Sequence, residues 1–319
     1  MMKEEFLEYL RLERNYSQST VDNYGRALRS LKDYFETLEE PLSWLTIDSD
    51  IVRGWIGQLM DAGESPSTVN LKLSAVRAFY RWALRRGLVE ADPVSMIQGP
   101  KKQRPLPNFV RDKEMDKLLD PIKWGDDYDS CLTRTILIVF YETGIRLAEL
   151  VGLDDKDVSL INGELKVTGK RRKQRVIPFG EEVARAVTIY RAKRDAEIAH
   201  KQSEAFFLQK KGVRINRSQV EKRVKVALGN IPMLGKRSPH VLRHTFATSM
   251  LNHGAGLESV KKLLGHASLA TTEIYTHTTF EQLKRAYKEA HPCRIEQDDQ
   301  SDGNCTRQYT FRGENVRHV

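Results

Sequence analysis

Apolar residues recur at helical spacing in four segments of the first hundred residues, and short polar stretches separate them. The segments run from residue 2 to about 14, from 20 to about 35, from 47 to 60, and from 65 to about 80. Apolar positions three or four residues apart share one face of a helix, and that face must pack against a neighbour. The pattern therefore predicts a helical bundle of four helices over residues 1–98.

Basic residues cluster on the fourth of these helices, although the first hundred residues are acidic overall, with 12 Lys and Arg against 15 Asp and Glu. Lys72, Arg77 and Arg81 follow the helix at intervals of four or five residues. Guanidinium and ammonium groups on a helix can reach the phosphates and base edges of DNA. The cluster predicts a DNA-binding face, and a merely solvated helix face is the alternative.

A proline-rich segment follows the bundle and reads G-P-K-K-Q-R-P-L-P from Gly99 to Pro107. Prolines lack the backbone N–H and fix φ, so the segment favours a stiff, extended and positively charged connector. We place the domain linker at residues 99–108 and expect Lys101 and Lys102 to contact DNA phosphates.

The positive charge of the chain lies beyond residue 100. The whole chain has a net charge of +9, and residues 101–290 contain 36 Lys and Arg against 23 Asp and Glu. A basic half of this size indicates a polyanionic partner, of which nucleic acid is the commonest.

Cysteine content and hydropathy point to the cytoplasm. Cys131, Cys293 and Cys305 give neither an even disulfide set nor the spacing of metal ligands. No apolar run approaches a membrane span, and the first 14 residues are charged and amphipathic, unlike a signal peptide. We expect a cytoplasmic, nucleoid-associated protein without a membrane partner.

The sequence predicts that residues 109–290 form a larger, mainly helical domain with one β-hairpin. The period changes at residues 157–179, where Asn162-Gly163 predicts a hairpin turn, followed by a strand, a basic turn centred on Gly169 and a returning strand. Lys170 lies beside that basic turn with Arg171, Arg172, Lys173 and Arg175, and this group suits contact with phosphates. Further helices are predicted at residues 110–119, 131–151, 181–199 and 218–228. Residues 291–319 are polar and lack a core pattern, so they are expected to form a mobile tail.

Arg146 follows an apolar helix that is interrupted at Thr143-Gly144, and its neighbours are mostly hydrophobic. Burial of an arginine is costly unless it binds an anion or a partner carboxylate. The sequence leaves both explanations open: a catalytic anion site, or a structural ion pair with Glu149 or Glu142.

Residues 238–278 contain the densest group of candidate catalytic side chains. Ser238 and Pro239 predict a helix start, after which His240 and Arg243 lie one turn apart and share a face. The next helix is expected to stop at Gly265, and His266 follows it directly. Tyr275 lies nine residues later, within a third predicted helix.

These residues occur in motifs that resemble a known family. The stretches E-T-G-I-R-L-A-E-L, P-H-V-L-R-H-T-F-A-T and L-L-G-H-A-S-L-A-T-T-E-I-Y-T-H resemble the arginine, H-x-x-R, histidine and tyrosine boxes of the tyrosine recombinases, particularly the Xer type. The likeness covers about nine-tenths of the chain. It implies a mainly α fold, with an N-terminal four-helix bundle of the SAM-like, core-binding kind and a larger α-helical catalytic domain containing a small antiparallel sheet.

The resemblance also implies an enzyme with a defined catalytic set. Its members are Arg146, Lys170, His240, Arg243, His266 and Tyr275. Tyr275 would attack the DNA backbone and form a 3′-phosphotyrosyl link, while the arginines neutralise the phosphate. His240 would act as base, Lys170 as acid and His266 as a hydrogen-bond donor to the phosphate.

Partners follow from the same resemblance. It implies double-stranded DNA with an inverted-repeat core site and a homo- or hetero-tetramer that exchanges strands through a Holliday junction. No metal and no cofactor are implied, because the tyrosyl ester conserves the phosphodiester. Chromosome dimer resolution and mobile-element integration or excision both remain open.

Three other functions fit parts of the sequence. His240 and His244 have the spacing of a metallohydrolase motif, but no glutamate follows His240. A non-catalytic DNA-binding regulator could share the fold. A topoisomerase-like enzyme that nicks and closes one strand would use the same chemistry without pairing two duplexes.

Overall fold

In the computed structural model, which describes residues 2–102, 108–169, 173–232 and 234–265, the chain divides into two compact units. One unit contains the described residues up to 102, and the other contains those from 108 onward. The helices of the first unit are α1 (Met2–Leu12), α2 (Gln18–Phe35), α3 (Ser49–Asp61) and α4 (Pro66–Arg85). They confirm the four predicted helices, and α4 extends five residues beyond the predicted end.

Capping and aromatic packing explain this bundle. The Ser65 hydroxyl accepts a hydrogen bond from the Thr68 N–H at 3.2 Å, which caps the start of α4. Phe79 of α4 is fully buried, and its ring packs against Phe6 and Trp44 at centroid distances of 5.4 and 4.9 Å. Edge-to-face contacts of this kind add to the stabilisation that comes from burying apolar surface.

The segment after α4 is part of the first unit. Val94 and Ile97 are buried in its core, and the Asn70 amide donates to the Pro100 carbonyl at 2.8 Å. The packed core of the first unit therefore extends to Ile97. The first residues of the expected linker are held against α4.

The second unit is built around α6. Its helices are α5 (Asp112–Leu119), α6 (Tyr128–Thr143), α7 (Leu147–Val151), α8 (Glu181–Glu197), α9 (Arg217–Ala227), α10 (Pro239–Asn252) and α11 (Leu257–Leu264). α6 is buried along almost its whole length and packs against α8 and α10. The Tyr128 hydroxyl at its start donates to the Leu208 carbonyl at 2.8 Å.

α6 ends at Gly144, which adopts the left-handed conformation with φ +58°. A Cβ at this position would lie 2.4 Å from Phe246 Cδ1 and 2.9 Å from Leu264 Cδ2. Glycine thus allows the chain to turn and also lets α10 and α11 approach closely. The turn places Arg146 immediately before α7.

A three-stranded antiparallel sheet follows α7 and has the order β1 (Val158–Ser159), β2 (Glu164–Thr168), β3 (Gln174–Pro178). The predicted hairpin is confirmed, and β1 is a short additional strand. Val167 pairs with Arg175 across β2 and β3. Arg175 and Ile177, two residues apart, are both buried, as the alternation of side chains along a strand requires. No helix within the described ranges is long and apolar enough to cross a membrane.

Candidate active site

Arg243 lies in the second turn of α10, and its side chain is almost completely buried. Ser238 occupies the N-cap position, although its side chain makes no capping hydrogen bond, and Pro239 is the first helical residue. Arg243 Nη1 donates to the Gly144 carbonyl, and Nη2 donates to the Leu264 carbonyl at 2.6 Å. Arg243 therefore joins the end of α6 to the end of α11.

His240 is exposed, whereas Arg243 is 7% exposed. The two residues are one turn apart on α10, as predicted, but they lie at different depths. Arg243 belongs to the floor of the site and His240 to its surface.

Arg146 is the N-cap residue of α7, and its side chain is 32% exposed. Its Nη1 donates to Glu149 Oε1 at 3.0 Å, and its Nη2 donates to the Gly265 carbonyl at 2.8 Å. The ion pair with Glu149, one of the two explanations drawn from sequence, is present. Because a third of the side chain reaches solvent, the other explanation, an anion site, remains compatible with the structure.

Arg175 is a third arginine of the site, and the sequence did not single it out. It was grouped with the basic turn after Gly169, and that interpretation is wrong because its side chain is only 8% exposed. Nη1 donates to Glu149 Oε1 at 2.6 Å, Nη2 to Glu149 Oε2 at 2.9 Å, and Nε to the Leu263 carbonyl at 3.3 Å. The alternation Arg175, Ile177 along β3 was the signal that could have identified it.

The carboxyl end of α11 brings the three arginines together. Its last carbonyls, from Leu263, Leu264 and Gly265, each accept a hydrogen bond from a different guanidinium group. These carbonyls form the negative end of the helix dipole, which favours cations. Gly265 ends the helix with φ +61°, and His266 is the next residue in the chain.

The site carries an excess of positive charge. Burial opposes ionisation of Glu149, but hydrogen bonds and charge from Arg175, and then contacts with Arg146, hold its pKa below the ordinary value. Burial, together with the charges of Arg146 and Arg175, lowers the pKa of Arg243 to about 10. Three guanidinium groups meet at this helix end, and two of them share one carboxylate, so an added anion would be stabilised there.

The tip of the hairpin begins beside this carboxylate. The Gly169 N–H donates to the Lys173 carbonyl at 2.8 Å, and a Cβ at Gly169 would lie 3.3 Å from Glu149 Oε1. Lys173 is exposed. Lys170 follows Gly169 directly but, with Arg171 and Arg172, lies outside the described residues. The same holds for His266 and Tyr275, for the predicted helix that contains Tyr275 and for the expected tail.

The candidate DNA-binding residues differ in exposure. Arg81, Lys101 and Lys102 are exposed. Lys72 is half-buried and forms an ion pair with Glu64, and Arg77 is half-buried and donates to the Ile97 carbonyl. Lys72 and Arg77 therefore do not lie on a fully exposed face, contrary to expectation, because each has a partner within the first unit.

The described part of the chain contains no group of three or more His, Cys, Asp or Glu side chains arranged to hold a metal ion. His240 and His244, which prompted the metallohydrolase alternative, are both exposed on α10.

Comparison with known families gives two matches. Residues 108–282 match the phage integrase family, and residues 4–87 match the phage integrase N-terminal SAM-like domain.

Individual relatives agree with these matches. The chain is 36% identical to the tyrosine recombinase XerC of Chlorobaculum tepidum, over 90% of this chain and 93% of the relative. It is 33% identical to the tyrosine recombinase XerD of Oceanobacillus iheyensis, over 91% and 97% of the two chains. The fold is similar to that of the XerH site-specific recombinase bound to a palindromic difH substrate, with a TM-score of 0.68 and 22% identity over 90% of this chain and 84% of that chain.

Proposed function

Because the chain belongs to the phage integrase family and is a tyrosine-type site-specific DNA recombinase, we propose that Tyr275 is its nucleophile and Arg146 and Arg243 bind the scissile phosphate. This assignment rests on one observation: Arg146 and Arg243 both donate hydrogen bonds to carbonyls at the carboxyl end of α11. His266 is the residue directly after that end, and Tyr275 follows nine residues later.

The arginines are suited to the phosphate for two reasons. A guanidinium group has five N–H donors in a planar fork, which matches phosphate oxygens. Arg243 uses two of them for the carbonyls of Gly144 and Leu264, which fix its direction. Its pKa of about 10 keeps it charged at neutral pH, so it can balance charge that develops on the phosphorus oxygens.

The remaining roles complete the transfer. The Tyr275 oxygen forms a bond to phosphorus and gives its proton to His240, while the bond from phosphorus to the 5′ oxygen breaks. Lys170 protonates that leaving oxygen, and His266 donates a hydrogen bond to the phosphate. The products are a 3′-phosphotyrosyl link and a free 5′-hydroxyl, and attack by a 5′-hydroxyl reverses the step. The ester conserves the phosphodiester, so this scheme needs no external energy source.

The DNA substrate in this proposal is a duplex with an inverted-repeat core site. The XerH relative is bound to a palindromic substrate, and a two-fold symmetric site matches two copies of one subunit. Two such duplexes hold four subunits, which exchange strands through a Holliday junction. With such a substrate, the protein would act on DNA at the nucleoid, in the cytoplasm.

We propose that four exposed basic residues contact the phosphates of this DNA: Arg81, Lys101, Lys102 and Lys173. Lys72, Arg77, Arg171 and Arg172 complete the proposed set.

The test is covalent capture on nicked DNA. A panel of inverted-repeat duplexes, each nicked so that the cut fragment diffuses away, is incubated with wild-type protein and with Tyr275→Phe. We expect covalent adducts with the wild type on at least one nicked site, and no adduct with Tyr275→Phe. Holliday junctions are scored on the same duplexes without the nick, which keep the 5′-hydroxyl that strand exchange needs.

The matched control is Tyr16→Phe, which removes the same hydroxyl at an exposed position of the first unit. It should form adducts at the wild-type rate. Adducts that persist in Tyr275→Phe would refute the assigned nucleophile. Relaxation of supercoiled DNA without exchanged products would favour the topoisomerase-like alternative. DNA binding with no adduct on any site would favour the non-catalytic regulator.

A further inference from the structure

We propose that Arg175 is a positioning residue of the recombination reaction, which fixes Glu149 and the end of α11 and thereby sets where Arg146 lies. This inference rests on the proposed function of the site. Arg175 is not assigned to the phosphate itself, since its three nitrogen atoms already donate to Glu149 and to the Leu263 carbonyl.

The first part of the argument is the shared carboxylate. Glu149 is 2% exposed, and its Oε1 accepts from both Arg175 Nη1 and Arg146 Nη1, at 2.6 and 3.0 Å. Its Oε2 accepts from Arg175 Nη2 and from the Arg146 backbone N–H, both at 2.9 Å. The plane of the carboxylate is thus set by Arg175, and that plane fixes the direction in which Arg146 points.

The second part is the end of α11. Arg175 Nε donates to the Leu263 carbonyl, and a Cβ on Gly265 would lie 3.1 Å from Arg175 Cδ and Nε. The Gly265 carbonyl in turn accepts from Arg146. The buried Arg175 side chain therefore contacts the last turn of α11, directly before His266 in the sequence. It also binds Glu149, the carboxylate partner of Arg146.

The third part is the strand that carries Arg175. Val167 pairs with Arg175 in the sheet, and Gly169, which precedes Lys170, lies against Glu149. Three chain segments that lead to proposed catalytic residues meet at the Arg175–Glu149 pair. A guanidinium fork holds both carboxylate oxygens at once, whereas a lysine ammonium is a single point charge.

The test compares two changes at Arg175 with one matched control. Arg175→Lys keeps the charge, and Arg175→Gln removes it. The control is Arg194→Gln, because Arg194 is also buried and paired, with Asp155 and Asp195, but lies outside this site. Each full-length variant is assayed below its melting temperature for DNA affinity and, at saturating protein, for the rate of adduct formation in a single turnover.

Arg175→Lys and Arg175→Gln should both lower the adduct rate about 100-fold, because small misplacement of a catalytic group has effects of this size. Their DNA affinity should stay within about twofold of wild type, and Arg194→Gln should keep the wild-type rate to within about twofold. Arg146→Ala combined with Arg175→Gln should be no slower than Arg146→Ala alone, because Arg175 acts through Arg146. A wild-type rate in Arg175→Lys, or rate losses that multiply in the double variant, would overturn the inference.

A DNA-free measurement keeps this test separate from that of the proposed function. Amide hydrogen exchange at the end of α11, including the Gly265 N–H that donates to the Lys262 carbonyl, should be about tenfold faster in Arg175→Gln and unchanged in Arg194→Gln. Unchanged exchange there in Arg175→Gln would overturn the positioning role. If wild type forms no adduct on any site, the proposed function fails, and the exchange result alone decides the role of Arg175.

Discussion

The Glu149 carboxylate binds the Arg175 guanidinium through both of its oxygens, at 2.6 Å to Nη1 and 2.9 Å to Nη2, and both side chains are buried. The two residues are 26 positions apart in the sequence and lie on α7 and β3. Their pairing connects the segment that carries Arg146 to the strand that follows Lys170.

Glu149→Gln should destabilise the fold in a pH-dependent way. At pH 7 we expect a loss of about 3 kcal/mol in the free energy of unfolding, because Arg175 would keep a buried charge without its carboxylate. The pKa of Glu149 is held below its ordinary value. The stabilisation is therefore complete above the ordinary glutamate pKa of about 4.3 and is lost as the pH falls through the lower folded value.

Urea unfolding of wild type and Glu149→Gln between pH 7 and pH 3 measures this difference. Other carboxylates titrate in both proteins, so only the difference between the two curves is informative. A difference that stays constant down to pH 3 would mean that ionised Glu149 is not what stabilises the site.

Gly265→Ala should reduce activity more than its backbone strain explains. Gly265 has φ +61°, and a Cβ there would lie 3.1 Å from two Arg175 atoms. Gly254 is the matched control, since it has φ +86° and no heavy atom within 4 Å of an added Cβ. Each alanine should cost about 1 kcal/mol of stability through the backbone. Adduct formation should fall only in Gly265→Ala, and equal rates in both variants would argue against the contact.

Inorganic phosphate should stabilise the protein through Arg243. The cluster of Arg146, Arg175 and Arg243 at the carboxyl end of α11 predicts an anion site. At a phosphate concentration ten times Kd, the free energy of unfolding should rise by about 1.4 kcal/mol, which corresponds to about 3 °C in Tm. Thermal melts of Arg243→Gln should lose this shift, whereas melts of Arg194→Gln should retain it. A shift of equal size in Arg243→Gln would indicate a general salt effect.

Arg81 should contribute more to DNA binding than Lys72. Arg81 is exposed on α4, whereas the Lys72 ammonium is already paired with Glu64. Arg81→Ala should reduce the slope of log affinity against log salt by about 0.9, as expected for one lost phosphate contact. Lys72→Ala should change the slope by less, because Glu64 already neutralises its charge. Fluorescence anisotropy across a salt series measures both slopes, and equal changes would contradict the exposure argument.

Local signals explain why much of the site was predictable from sequence. Pro239 marks the start of α10, Gly144 the end of α6 and Gly265 the end of α11, and each acts within a few residues. The boxes around Arg146 and Arg243 identified two arginines that the structure brings to the end of the same helix.

Long-range pairing explains what sequence did not show. The position of Arg175 depends on its register with Val167 and on contact with Leu263, which lies 88 residues away. A basic run that includes Arg175 does not reveal which of its members turns inward. Similarly, the partner of Lys72 is Glu64, which lies before the start of α4 and outside the helical pattern.

The most direct test of the central claim is to identify the atom that holds DNA in the covalent adduct. The adduct formed on a nicked site is digested with nuclease and protease, and the nucleotide-bearing peptide is sequenced by mass spectrometry. The account predicts a single peptide with a 3′-linked nucleotide on Tyr275. A nucleotide on any other residue, or one attached through its 5′ phosphate, would contradict it.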